Sequence, residues 1–377
     1  MKIVLAPNAF KECLSAPEAA AAMARGVLQA RGDIDAVCVP LADGGDGTTE
    51  ALVAARTGDW IEMTASDPLG RPVAVKYGLI DGGKTAVMEM AAASGLWRLT
   101  EAEKNPLNTS TRGTGEMMRD ALDRGVETIV IGIGGSATTD GGAGMAAALG
   151  YRLLDGAGAI VESTGRGMAA VRRIDASSVH AQLKKVEILV ASDVTNPLLG
   201  PEGAAAVYGP QKGATTEIIP LLEDGLANLA ALWEKDMGAT IGAMPGGGAA
   251  GGLGAGLAAF CGAEIRSGFD LIADYARLNE ALDGASLAFT GEGKIDDSTR
   301  FGKVPAGVAR RAKQKGVPAV VLGGSLCGDL SILHEAGIIA YFSLAPGPIT
   351  LKEAIENARN HLERTAEQAM RLWLCRS

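Results

Sequence analysis

Six stretches of this 377-residue chain crowd Gly, Ser, Thr, Asp and Lys together. They are PNAFK ending at Lys11, PLADGGDGT at 40–48, GGSATTDGG at 134–142, DVTNPLLG at 193–200, TGEGKIDDST at 290–299 and GGS at 323–325. Glycines let backbone N–H groups approach an anion closely, and hydroxyls add further donors. Carboxylates among such loops suit Mg²⁺, a hard cation that usually arrives with substrate phosphates. Taken together the set fits phosphoryl transfer. That reaction needs donors on the phosphates, carboxylates on the metal and one carboxylate for the proton of the attacking hydroxyl. Neither a Walker A sequence nor an HRD/DFG set occurs, so a kinase here belongs to neither of those classes.

Each piece has a plainer alternative. Asp46, Asp140 or Asp297 alone is more often a helix N-cap than a catalyst. Gly246, Gly247 and Gly248 could serve a tight helix entry, and Lys11 could be a solvated surface lysine. Asp193 is harder to dismiss. It follows the apolar run EILVAS, and Asn196-Pro197 sets an extended turn after it, so it reads as a metal ligand or a base.

The loops need elements to hold them, and the pattern supplies these. KIVLA (2–6) and AVCV (36–39) read as buried strands with helices at 16–31 and 48–56 after them, a βαβα opening. Residues 60–90 read as an antiparallel meander. Further strands are expected at 128–133, 187–192, 286–291, 318–324 and 337–343. Further helices are expected at 113–124, 138–149, 215–235, 249–259, 302–315, 327–336 and 351–373. The C-terminal strand–helix alternation matches the opening in style. Both chain ends, 1–60 plus 285–377, therefore predict one doubly wound parallel-sheet domain, with 61–284 inserted as a second α/β domain. Each loop then sits at the C-terminal end of a strand, where open parallel sheets bind ligands.

Composition excludes other classes. The net charge of −9 and 4% aromatic content disfavour nucleic acid and anionic lipid as partners. No 18-residue apolar run and no signal-peptide pattern occur, so no membrane span is expected. Five scattered cysteines read as reduced thiols, which points to the cytoplasm, and three histidines without ligand spacing make zinc chemistry a poor fit.

The loops resemble those of the type I glycerate kinase family over essentially the whole chain. PNAFKECLSA resembles the family's P-D-S-F-K-G-S-L-S-A, and PLADGGDGT its P-x-A-D-G-G-E-G-T. NPLNTSTRGTGE (105–116) resembles N-P-x-x-T-S-T-x-G-x-G-E. The segments at 134–150, 193–214 and 290–309 are the most specific pieces. Four departures stand out: Asn8-Ala9 for Asp-Ser, Glu12-Cys13 for Gly-Ser, Lys294 for Arg and Ser298 for Gln. The resemblance implies an ATP- and Mg²⁺-dependent kinase that converts D-glycerate to 2-phosphoglycerate. It also implies a flavodoxin-like domain from both chain ends and an insert resembling restriction-endonuclease folds.

On that basis Asp193, Asp43 and Asp296 are the candidate catalytic carboxylates, with Asp193 and Asp296 as the alternative metal ligands. Lys11, Lys212 and Lys294 are candidates for holding anionic groups, and Arg71 for clamping the glycerate carboxylate. The backbones of Gly134, Gly135 and Ser136, and of Gly246, Gly247 and Gly248, are candidate phosphate cradles. Thr290, Gly291 and Glu292 are expected to line the site as well. A non-catalytic small-anion sensor and a kinase of another hydroxy acid are the alternatives. A dinucleotide oxidoreductase is disfavoured, because PNAFK rather than G-x-G-x-x-G follows the first strand. A homo-oligomer is left open.

Overall fold

The computed structural model describes residues 1–300 and 303–375. Two strands open the chain, β1 (Lys2–Leu5) and β2 (Asp35–Cys38). Eight follow in the middle: β3 (Asp59–Ser66), β4 (Pro72–Ile80), β5 (Thr85–Glu89), β6 (Thr128–Gly132), β7 (Arg152–Leu154), β8 (Arg173–Asp175), β9 (Glu187–Ala191) and β10 (Glu264–Arg266). The last are β11 (Leu287–Ile295), β12 (Ala319–Leu326) and β13 (Ile338–Ser343). The chain is mixed α/β and divides into two compact units. Residues 1–43, 50–57 and 269–377 form the first, and 44–49 with 58–268 the second.

The first unit carries an all-parallel sheet ordered β13-β12-β11-β1-β2. Counted along this unit the order is 2-1-3-4-5, that of flavodoxin-like folds. Ile3, Leu5, Phe289 and Leu322 enter one core with residues of the helices Ala16–Ala30 and Ala358–Leu374. The alternate residues Val4, Ala288 and Val321 are fully buried too, so both sheet faces are covered, as parallel sheets require. The two helices approach closely at Gly26, where a Cβ would lie 2.1 Å from the Glu363 carbonyl oxygen.

The second unit holds a six-stranded sheet ordered β10-β9-β6-β5-β4-β3. The β3–β4 and β4–β5 pairs are antiparallel, which is the expected meander, and β5 to β10 run parallel. A small antiparallel pair, β7 and β8, lies outside this sheet.

Several elements differ from expectation for local reasons. Strand β11 does not stop at 291 but runs to Ile295 alongside β12. Gly291 makes this possible, since a Cβ there would sit 2.0 Å from the Leu322 carbonyl oxygen. Helix 138–149 shortens to Ala143–Ala148, because Gly141 and Gly142 adopt positive φ. Residues 327–336 form only a short 3-10 turn at Ser331–His334, with Gly328 at φ 77° before it. The helix expected at 351–373 breaks at Asn357 into Leu351–Glu356 and Ala358–Leu374. Gly302, where the helix 302–315 was expected to begin, lies outside the described residues; that helix is described as Val304–Gln314.

The chain enters the first unit for the last time at 269 rather than 285. Phe269 fills the space over Gly307, and Arg311 pairs with Asp270 and Asp274, which ties this segment to the helix Val304–Gln314. No helix among the described residues is long and apolar enough to cross a membrane.

Candidate active site

In the first unit the chemistry gathers where β1 and β11 end. Asn8 follows β1, and its N–H donates to the Gly291 carbonyl at 2.9 Å. The Thr290 hydroxyl donates to the Ala6 carbonyl at 2.7 Å, so Thr290 fastens the two strands together. This sets Glu292 beside Asn8, with the residue only 7% exposed. Burial pushes the Glu292 carboxyl above its ordinary value, and the negative charge of Asp43 adds to the rise. Opposing this are the Lys303 ammonium at 3.7 Å, the Thr299 hydroxyl donating at 3.3 Å and the Asn8 amide. Lys303 also faces Asp296 at 3.6 Å, and Lys294 pairs with Asp296 at 3.0 Å. A cavity of about 500 Å³ opens here, and Asn8, Lys11, Asp43, Glu292, Lys294 and Lys303 form its polar side. Carboxylates and ammonium groups share one opening, which can bind a phosphate and a cation together.

In the second unit the glycine loops do two different jobs. Gly44 packs on the end of β9, where a Cβ would lie 2.5 Å from the Ala191 carbonyl oxygen. Gly134 and Gly135 emerge exposed after β6, Gly135 at φ 71°, while Ser136 is buried and bridges to Gly95. Asp193 is exposed beyond the end of β9, and its carboxylate accepts the Gly268 N–H at 2.9 Å.

Deeper in this unit Asp140 is fully buried. It accepts from the Thr111 N–H and hydroxyl, both at 2.8 Å, and from the amides of Gly142 and Gly144. Lys212 is buried as well and donates to the Thr138 carbonyl at 2.6 Å. Burial pushes its ammonium down to about 7, against the attraction of Asp140.

Several expected contacts take another form. The Lys212 ammonium is sealed inside the unit, so it supports the 134–142 loop from beneath rather than reaching out to an anion. The amides of Gly247 and Gly248 donate to Met244 and Asn196, and a Cβ at Gly248 would meet the Pro197 carbonyl oxygen at 2.2 Å. Both N–H groups are therefore spent within the protein rather than presented to phosphate, and Gly248 locks the 193–198 loop. Arg71 is held by Asp67 and Glu103, each at 2.5 Å, a double ion pair that satisfies its guanidinium within the unit. Thr290 and Gly291 are strand residues whose polar groups serve the sheet.

Three residues escape a reading of sequence alone. Lys303 and Thr299 belong to the 290–309 segment, and both reach Glu292. Glu89 closes β5 and accepts the amides of Gly47 and Thr49 at 3.3 and 2.8 Å. An acidic residue ending an apolar run, TAVME, was the available signal.

The chain matches the family model described as the glycerate kinase family over residues 3–374. A glycerate kinase of Bacillus subtilis (strain 168) is 46% identical over 366 residues, which cover 97% of this chain and 96% of that one. A protein named glycerate 2-kinase from Escherichia coli (strain K12) is 44% identical, again over 97% and 96%. A crystal structure provisionally assigned as glycerate kinase 2, from Salmonella typhimurium LT2, superposes with a TM-score of 0.92 at 45% identity, covering 100% of this chain and 98% of that one. With likeness of this depth along nearly its full length, the chain belongs to the glycerate kinase family, and it is a kinase.

Proposed function

We propose that the protein transfers the γ-phosphate of ATP to the 2-hydroxyl of D-glycerate, giving 2-phosphoglycerate and ADP. The observation that carries this reading is the cavity lined by Asp43, Glu292, Lys294 and Lys303, with Asp296 paired to both lysines, at the C-terminal ends of parallel strands. The position of the accepting hydroxyl rests on the name of the Escherichia coli relative, glycerate 2-kinase.

The carboxylates of this cavity suit a magnesium ion. Among the described residues no cluster of three or more Asp, Glu, His or Cys side chains could hold a metal. Mg²⁺ needs none, because it binds through one or two carboxylates together with substrate phosphates. Glu292 is buried close to a second carboxylate, Asp43, a combination that a cation relieves. Those two residues would hold the ion, which when bound would neutralise charge on the phosphates.

This chain's own groups do the remainder. Lys11, Lys294 and Lys303 draw in phosphate oxygens as point charges. Asp193 accepts the hydrogen bond, and then the proton, of the glycerate hydroxyl. Its bond from the Gly268 N–H helps to hold the carboxylate in place.

The test is ADP release with ATP, Mg²⁺ and D-glycerate, with the product identified by ³¹P NMR. Glycerate-dependent ADP with a 2-phosphoglycerate resonance is expected, and Asp193→Asn should lower kcat by about a hundredfold or more. ADP formation that does not depend on glycerate would sink the proposal, and a 3-phosphoglycerate signal would overturn its regiochemistry.

A further inference from the structure

The cavity in the first unit has apolar lining that the phosphate chemistry leaves unused. Phe10, Leu344, Leu351, Ala354, Ile355 and Ala358 line it together with the polar residues already described. Phe10, Leu344 and Ala358 are buried, whereas Leu351 stands 76% exposed on the rim. Glycerate cannot explain such a wall. It has three carbons and is polar at each, so setting it against apolar side chains costs free energy and gains no hydrogen bond. A volume of about 500 Å³ is also the size that holds a drug-sized molecule rather than a three-carbon acid. Phosphates belong at the lysines.

The remaining part of the substrates is a flat heterocycle with two apolar faces. The position agrees: the sheet order turns between β1 and β11, and in sheets of this order the ligand crevice lies outside that turning point. Asn8 after β1 and Glu292 in β11 both line the cavity.

The geometry points to this apolar lobe as the seat of the nucleotide's purine base, with the phosphates running toward Lys11, Lys294 and Lys303. The inference rests on ATP as the donor. Leu351 and Ile355 on the helix Leu351–Glu356 cover one face of the base, and the base in turn removes the exposed Leu351 from water. His361, from the helix Ala358–Leu374, stands at the same cavity and offers an imidazole edge to a ring nitrogen.

Ala354→Trp fills the lobe from a half-buried position on a short helix, so the core is left alone. Calorimetric binding of ADP and of pyrophosphate is compared between this variant and the unchanged protein, with KM measured for ATP and for glycerate. ADP should bind on the order of tenfold or more weakly, while pyrophosphate affinity and the glycerate KM stay unchanged. Should Ala354→Trp fail to fold, Leu351→Asp on the exposed rim gives the same split with a smaller fold-change. Unchanged ADP affinity, equal loss of ADP and pyrophosphate, or a raised glycerate KM each overturns the assignment. If the unchanged protein makes no ADP from ATP and glycerate, the kinase reading fails by itself. The difference between ADP and pyrophosphate still decides whether the lobe takes a base.

Discussion

Two clusters of carboxylate, lysine and threonine are built from the same residue types and put to opposite uses. In the second unit Asp140, Lys212 and Thr111 are sealed from solvent, and the Asp140 carboxylate is met by four donors from its own chain. In the first unit Glu292 and Lys303 line a cavity, and the Glu292 carboxylate meets the Lys303 ammonium and the buried Thr299 hydroxyl at longer separations, 3.7 and 3.3 Å. A carboxylate whose lone pairs are filled by backbone amides has its work inside the fold. One with loose partners at the edge of a cavity has capacity left for a ligand. Sequence motifs do not separate the two cases, because both lie in Gly/Thr/Asp loops. Burial and donor count do.

This contrast can be broken in graded steps. The largest effect belongs to Glu292→Gln. Steady-state kinetics should show kcat reduced by about a hundredfold or more, while thermal unfolding stays near that of the unchanged protein, because an uncharged side chain is easier to bury. A kcat close to normal would place Glu292 with the structural carboxylates.

Asp140→Ala should do the reverse. It strands the Thr111, Gly142 and Gly144 donors and leaves the Lys212 ammonium uncompensated, a loss of roughly 3–5 kcal/mol in denaturant unfolding. If stability holds and only activity falls, Asp140 is a site residue after all.

A third step tests the sealed lysine through pH. The Lys212 ammonium is pushed from 10.5 in the unfolded chain down to about 7 in the fold. Its cost is complete below pH 7, where both states are protonated. It fades as pH rises from 7 toward 10.5, where the unfolded chain binds more protons. Stability measured relative to Lys212→Met should therefore climb across that window, by about 1.4 kcal/mol per pH unit at most. A flat difference would show that Asp140 keeps the ammonium charged throughout.

The smallest effect concerns the loop at the cavity's edge. Glu12 adopts φ 69°, in the left-handed region that favours glycine, and the family pattern has glycine at this position. Glu12→Gly should raise stability by about 0.5–1 kcal/mol, read as a higher Tm. No change in Tm would mean that the loop carries no strain.

Much of this architecture is legible in the residues. The apolar runs at 2–6, 128–133 and 187–192 became β1, β6 and β9 within a residue, because short buried parallel strands leave a continuous hydrophobic signature. Strand β11 is less legible. GEGKI looks like a loop, yet it pairs Glu292 with Gly323 and Lys294 with Ser325 along β12, and those glycines acquire meaning only when the partner strand is present.

The site divides in the same way. Lys11, Asp43, Glu292 and Lys294 come together around one cavity. Arg71, Lys212 and the Gly246–Gly248 run are consumed by Asp67, Glu103, Thr138 and the 193–198 loop. Those partners lie far off in sequence or are chosen by burial, and local patterns report neither.

The pairing of β1 with β11 also dictates a timetable. Ile3 finds its neighbour in Leu287, 284 residues later. At about 5–20 residues per second on the ribosome, the first strand waits roughly 15 to 60 seconds for that partner to be made. During the wait only β2 is available to it. The middle of the chain emerges whole in the meantime and is free to fold first, so the nascent N-terminus, with its apolar KIVL strand, is the stretch most in need of shelter during synthesis.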